Sequence, residues 1–300
     1  MLVNIRKLRT PLKKMTNASA RLQPAPLEVM SESERQFIHR AAKQSDVRMD
    51  GRRTLEWRQL ELEVSTLNNS RSLAKVKLAG GTQVFCLVSC ELAEPYPDRP
   101  NEGGFQLQID YMHSAGSGFA GDGLVERAIQ KAVDVESLCI VPGRKAWFVK
   151  CQLVVVDDCG SVSDALSVAA CSALMHFRRP DVTVVGEEVT VHNVRERIPV
   201  PLTVQYLPLC FSVAVLASVE EEKLCTLVDP THREEIVAWE SAGVFQVVLN
   251  THHEVCGLVE AGAYFGAEEM MELIEHLMLA RTARGDIMQR VLDANPFEVL

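Results

Sequence analysis

The chain has 300 residues, 47% hydrophobic and 24% charged, a balance that suits one large globular domain or two lobes of about 100–150 residues each. Its net charge of −9 is unevenly divided: residues 1–27 hold Arg6, Lys7, Arg9, Lys13, Lys14 and Arg21 and no acid, a balance of +6 that leaves −15 (−9 less +6) on the rest. A body that acidic excludes nucleic-acid binding over a broad face of the chain alone, leaving a local basic patch, the N-terminal segment or a surface shared with a partner.

In chain order, residues 1–29 are polar and basic, include Pro11, Pro24 and Pro26, and show no sustained periodicity. We read a disordered arm there, with an organelle-targeting presequence as the alternative. Ser31 and Glu34 fit a capping box that opens a helix to about Gln44, with Phe37, Ile38 and Ala41 on one face. A turn on Asp50-Gly51 leads to strands at Leu60–Ser65, Ala74–Leu78 and Val84–Val88, the last two joined at Gly80-Gly81. A proline-rich loop, Glu94–Gly104, precedes a strand with Phe105, Leu107 and Ile109; Ser114–Gly123 is glycine-rich and expected to move; Leu124–Val133 is a short amphipathic helix. The stretch 145–181 reads as a long apolar strand, a tight Asp158–Ser161 loop and a buried helix stopping at Pro180. A hairpin turning at Gly186-Glu187 follows, then strands at Leu202–Tyr206, Phe211–Leu216, Cys225–Val228, Val244–Asn250 and Glu254–Val259, and a long amphipathic helix, Glu268–Val291. This order predicts an α+β protein of two related β-α lobes packed as one subunit, residues 30–195 and 196–300, after the arm 1–29.

No apolar run approaches the roughly 20 residues of a membrane span, and no apolar signal region follows Met1. The nine cysteines form no Cys-x-x-Cys pair and the histidines show no zinc spacing, which points to buried free thiols in a reducing compartment and to no metal or other cofactor.

Chemistry could reside in two places. Gly160-Ser161 before a helix would present backbone N–H groups to a phosphate. Such residues are more commonly turn and cap, a catalytic phosphate cradle adds a fixed cation, and the side chains nearby in sequence are Asp157, Asp158, Val162 and Asp164. Asp229, Glu234 and Glu235 could serve acid chemistry or magnesium, but Asp229-Pro230-Thr231 is also good turn chemistry and the two glutamates could cap or face water. Arg127 and Lys131, four apart on one helix face, are a solvated pair or a phosphate contact. His176 and the other histidines read as structural, and Arg178-Arg179 suit the negative end of the helix before them.

Several segments together resemble the RNase PH superfamily, and within it the RNase-PH-type ring subunits of the eukaryotic RNA exosome. They are Asp50-Gly51-Arg52 flanked by Arg48 and Arg58, Val84–Glu91, Pro95–Gly103, Glu136–Val141, the strand–loop–helix at 145–175, His176–Val191 with Glu196–Leu202, and Val228–Thr231. The resemblance covers about residues 31–290. It implies a pair of RNase PH-like subunits within a six-membered ring around an RNA channel, RNA-binding cap subunits on one face, associated 3′-exonucleases, and no membrane. It also implies a place in the nucleus, nucleolus and cytoplasm.

Active members of the family carry Gly-Ser/Thr-Arg at the phosphate loop and a later pair of acids. Here Gly160 and Ser161 match but Val162 stands at the arginine position; Asp229 matches the first acid, and Glu235 stands at the second, one methylene longer. The resemblance therefore implies a silent, structural and RNA-guiding subunit that supports 3′-to-5′ RNA processing and decay, rRNA maturation and mRNA turnover among them, by a separate nuclease. Arg99, Arg127 and Lys131 are then the candidates for the RNA path. The alternative is an active phosphate-dependent 3′-exoribonuclease using Asp229 and Glu235 with Ser161. A weaker one is an unrelated metabolic enzyme closing Gly116–Gly123 over a small substrate.

Overall fold

The structure is a computed structural model and describes residues 30–67, 71–112, 121–186, 188–193, 196–217, 224–262 and 267–297. The basic arm 1–29, residues 114–120 of the glycine-rich segment and Glu187 of the predicted hairpin turn lie outside these residues.

Ser31 opens α1 (Glu32–Ser45) by accepting the Glu34 N–H at 3.2 Å, while the Glu34 carboxylate is drawn 2.5 Å from Arg233. The buried stripe of α1 is Ile38 and Ala42, one helical turn apart; Phe37, expected to share it, is turned outward. β1 (Leu60–Leu67), β2 (Arg71–Leu78) and β3 (Gln83–Ala93) form an antiparallel meander whose second turn uses positive φ at Gly80 and Gly81. β4 (Gly104–Tyr111) then runs parallel to β6 (Lys145–Asp157), and parallel neighbours need a crossover, supplied by α2 (Gly121–Ala132) and the short β5 (Cys139–Val141). The first sheet is thus ordered β1-β2-β3-β6-β4, with β5 on β6.

α3 (Val162–His176) is buried nearly all round because it is built of Ala, Ser, Cys, Val and Leu. It ends at His176 rather than Pro180. Phe177 turns extended, Arg178 Nη1 donates to the Met175 and Phe177 carbonyls at 2.7 and 2.9 Å, and Arg178–Arg179 form β7, paired with β10 (Val200–Pro201). β8 (Val182–Val185) and β9 (Glu188–Val191) are the predicted hairpin. The strand expected at Leu202–Tyr206 is absent; a single bridge, Val133 to Val204, takes its place. Pro199, Pro201 and Pro208 around it remove ladder donors.

The second sheet is ordered β12-β11-β13-β14, from β11 (Leu209–Leu216), β12 (Cys225–Val228), β13 (Gly243–Leu249) and β14 (Val255–Ala261). Between β12 and β13 lies α4 (His232–Ser241), where the sequence reading placed only a turn. Thr231 is its N-cap, with Glu234 returning to the Thr231 N–H at 2.8 Å, so Thr-x-x-Glu was the overlooked signal. β11 and β13 are buried along their whole length because both faces are covered: α3 and α2 on one, α4 with α1 on the other. α5 (Ala267–Ala294) closes the chain against α3 and β1. One apolar core therefore runs from the first sheet through α2 and α3 into the second, with a smaller cluster beneath α1 and α4.

Candidate functional site

Four segments meet at the N-terminus of α3: the stretch Arg48–Arg58 before β1, Thr82 at the β2–β3 turn, the Asp158–Ser161 loop after β6, and the Asp229–Thr231 turn after β12. They come from both sheets and are held by charge.

Asp229 is fully buried with φ of +48°, and its own N–H donates to the Ser212 carbonyl at 3.0 Å. Arg58 encloses its carboxylate: the backbone N–H lies 2.8 Å from Oδ2, Nε 3.0 Å and Nη2 2.6 Å from Oδ1. Arg52 approaches Oδ2 at 3.5 Å. Burial alone would raise Asp229, but Arg58, with Arg284 beyond it, holds the carboxyl at about 2. Arg48, also buried, grips Glu234 at 2.9 Å through Nε and reaches the Val228 and Asp229 carbonyls at 2.7 and 2.9 Å.

The loop at 158–161 is bound just as fully. The Gly160 carbonyl accepts from Thr82 Oγ1 at 2.8 Å and Arg58 Nη2 at 2.9 Å. Ser161, at φ of +51°, donates its hydroxyl to the Pro230 carbonyl at 3.0 Å and its N–H to Glu235 Oε1 at 2.8 Å. The His232 N–H donates to the Cys159 carbonyl at 3.0 Å. Gly160 is packed so closely on the 230–232 backbone that a Cβ there would fall 2.4 Å from the His232 nitrogen.

Around the loop the residual charge is negative. Burial, with Asp158 and Asp164 behind it, pushes Glu235 up to about 8 against the pull of the Ser161 N–H and Arg58. Burial likewise raises Asp122 and Asp164 to about 6. Asp122 accepts from the Tyr111 hydroxyl, and Asp164 from Ser212 at 2.8 Å and Arg284 at 3.2 Å. The Arg284 guanidinium is stacked 4.5 Å from the Trp57 ring and 5.1 Å from Phe211. Val162, at the expected cation position, packs on the main core.

The structure thus joins Ser161, Asp229 and Glu235, as the family pattern implied, but all three are engaged with the protein itself. The sequence reading found no cation near the loop; the fold brings Arg58 and Arg284, both already paired with acids. Sequence alone shows Arg48, Arg52 and Arg58 only as a signature, because the acids they meet at this site, Glu234 and Asp229, lie 171 or more residues away in sequence, although Arg52 also pairs with the nearby Asp50 at 2.7 Å.

Arg127 and Lys131 stand together on the exposed face of α2, with Arg127 Nε 2.9 Å from the Gly123 carbonyl. Lys131 adjoins β14, where it opposes the upward push of burial and Glu254 on the Cys256 thiol. Arg99 is exposed on its loop, 3.5 Å from Glu102 and 3.9 Å from Asp98, so its charge is locally offset. His176 is structural, with Nδ1 2.7 Å from Ser72 Oγ. Among the described residues no group of three or more His, Cys, Asp or Glu side chains is placed to hold a metal, and no helix is long and apolar enough to cross a membrane.

Residues 56–180 match the profile of the 3′ exoribonuclease family, domain 1. The chain is similar to exosome complex component RRP45 of Saccharomyces cerevisiae, 35% identical over 254 residues that cover 78% of this chain and 81% of the relative. It is 36% identical to RRP45 of Bos taurus over 245 residues, 78% of this chain, and spans about half (53%) of that longer protein, as it does of the human one. A solved archaeal exosome core contains a chain of the same fold, with a TM-score of 0.65 and 26% identity over 85% of this chain and 96% of that one. The chain belongs to the RNase PH family, in its RRP45-type branch of exosome components.

Proposed function

We propose that the chain is a catalytically silent RNase PH-like subunit of an RNA exosome core ring, structural and RNA-guiding. It pairs with another RNase PH-like subunit in a six-membered ring, carries RNA-binding cap subunits on one face, and passes RNA to an associated 3′-exonuclease for processing and decay. Its places of action are the nucleus, the nucleolus and the cytoplasm. Arg127 and Lys131, with Arg99, contribute to the RNA path; their exposure supports this assignment.

Two observations carry the silent assignment: Val162 occupies the cation position of the family pattern, and the Ser161 N–H is taken by Glu235 at 2.8 Å. Phosphorolysis must bind inorganic phosphate beside the RNA's own charge, and one fixed arginine contact is worth about 1.5–3 kcal/mol there. Asp122, Asp158 and Asp164 oppose an anion instead.

The rival activity keeps some support from the convergence of Ser161, Asp229 and Glu235. Incubating the purified chain with oligoribonucleotide, phosphate and magnesium separates the two: no nucleoside diphosphate is expected. Release of nucleoside diphosphates that Asp229→Ala abolishes would overturn the silent assignment. Co-expression with RNase PH-like neighbours tests assembly, and a chain that stays monomeric with them would remove the ring from the proposal.

A further inference from the structure

We propose that the retained motif residues Ser161, Asp229 and Glu235 form a closed clasp between the two sheets, so that the phosphate loop is shut by the chain's own contacts and restoring the missing cation alone would not reopen it. This rests on the silent reading above but makes a separate claim, about what keeps phosphate out.

The contacts are mutual. The loop after β6 gives the Ser161 hydroxyl to Pro230 and the Ser161 N–H to Glu235, while the first residue of α4 gives its His232 N–H to Cys159. Arg58 lies across the seam: its Nη2 reaches Gly160 of the loop at 2.9 Å, and its Nε, Nη2 and backbone N–H hold Asp229 of the turn. The backbones touch as closely as glycine allows, since a Cβ at Gly160 would fall 2.5 Å from the Pro230 oxygen and from the Thr231 carbonyl carbon. Ser161 is 1% exposed and Glu235 5%, so solvent has little access to the junction.

An arginine at position 162 would add charge beside the loop without freeing the Ser161 hydroxyl or N–H. The acids of the family motif thereby acquire a mechanical role in this chain. Glu235 supplies the oxygen that an anion at Ser161 would otherwise supply, and Asp229 anchors the arginine that spans the seam.

The test uses the full chain and inorganic phosphate as the probe, read as the phosphate-dependent rise in melting temperature at constant ionic strength. The variants are Val162→Arg, Val162→Arg with Glu235→Gln, and Val162→Arg with Glu235→Ala. The first two keep a side-chain oxygen for the Ser161 N–H and are expected to match the wild type, with no saturable response. The Glu235→Ala double variant is expected to gain a saturable rise. A saturable response from either of the first two overturns the clasp, even if the alanine variant fails to fold. A folded alanine double variant that stays blind to phosphate also overturns it. Nucleoside diphosphate release by the wild-type chain would instead sink the silent reading, so the two failures are distinguishable.

Discussion

Glu235→Gln separates the shape of the Glu235 side chain from its charge. The amide keeps an oxygen for the Ser161 N–H, now at 2.8 Å, but has no proton to lose. In the folded chain Glu235 titrates at about 8 against 4.5 when unperturbed, because it is fully buried and faces Asp158 and Asp164. The folded state therefore holds a proton that the unfolded chain releases as pH rises above 4.5, and the stability from this group, complete below that pH, is lost by about 8. At about 1.4 kcal/mol per pH unit, a window of this width is worth on the order of 3–5 kcal/mol. Urea denaturation of both proteins at pH 5 and pH 8 reads it directly. The variant should be close to the wild type at pH 5 and more stable by several kcal/mol at pH 8. An equal difference at the two pH values would refute the claim that Glu235 is buried with its proton.

The opposite pH dependence belongs to Asp229, whose stabilisation is present above 3.8 and lost as pH falls towards 2, so Asp229→Asn should flatten the acid limb of the stability profile. Arg58→Met leaves that carboxylate buried without its main partner and should cost about 3–5 kcal/mol in urea denaturation; a loss below about 1 kcal/mol would deny the pair its structural role. Gly160→Ala should lower the melting temperature through both its φ of +95° and its contact with the 230–232 backbone, and a neutral result would contradict the tight junction. In an assembled ring, Arg127→Glu with Lys131→Glu should weaken RNA binding and reduce its salt slope by about 1.4 if each side chain contacts one phosphate of a single strand; unchanged binding would remove both from the RNA path.

Much of the architecture is local and could be read directly. Alternation specified the meander at β1–β3, the apolar runs of β6, β11 and β13 marked strands buried on one or both faces, and Ser31 opened α1 where expected. Other elements are hard to read from the sequence: the buried glutamates of α4 disguise its short apolar face, and three prolines thin the ladder near Val204 to a single bridge.

By itself the sequence determined that Val162 stands where the family pattern has an arginine, since that is a matter of residue identity alone. Only the tertiary structure decided what the remaining motif residues do. Arg58 meets Asp229 across 171 residues and Ser161 meets Glu235 across 74, and each pairing arises only when the two sheets close around α3. Burial at that seam also sets the charge of each acid, holding Asp229 ionised beside arginine and Glu235 protonated beside other carboxylates.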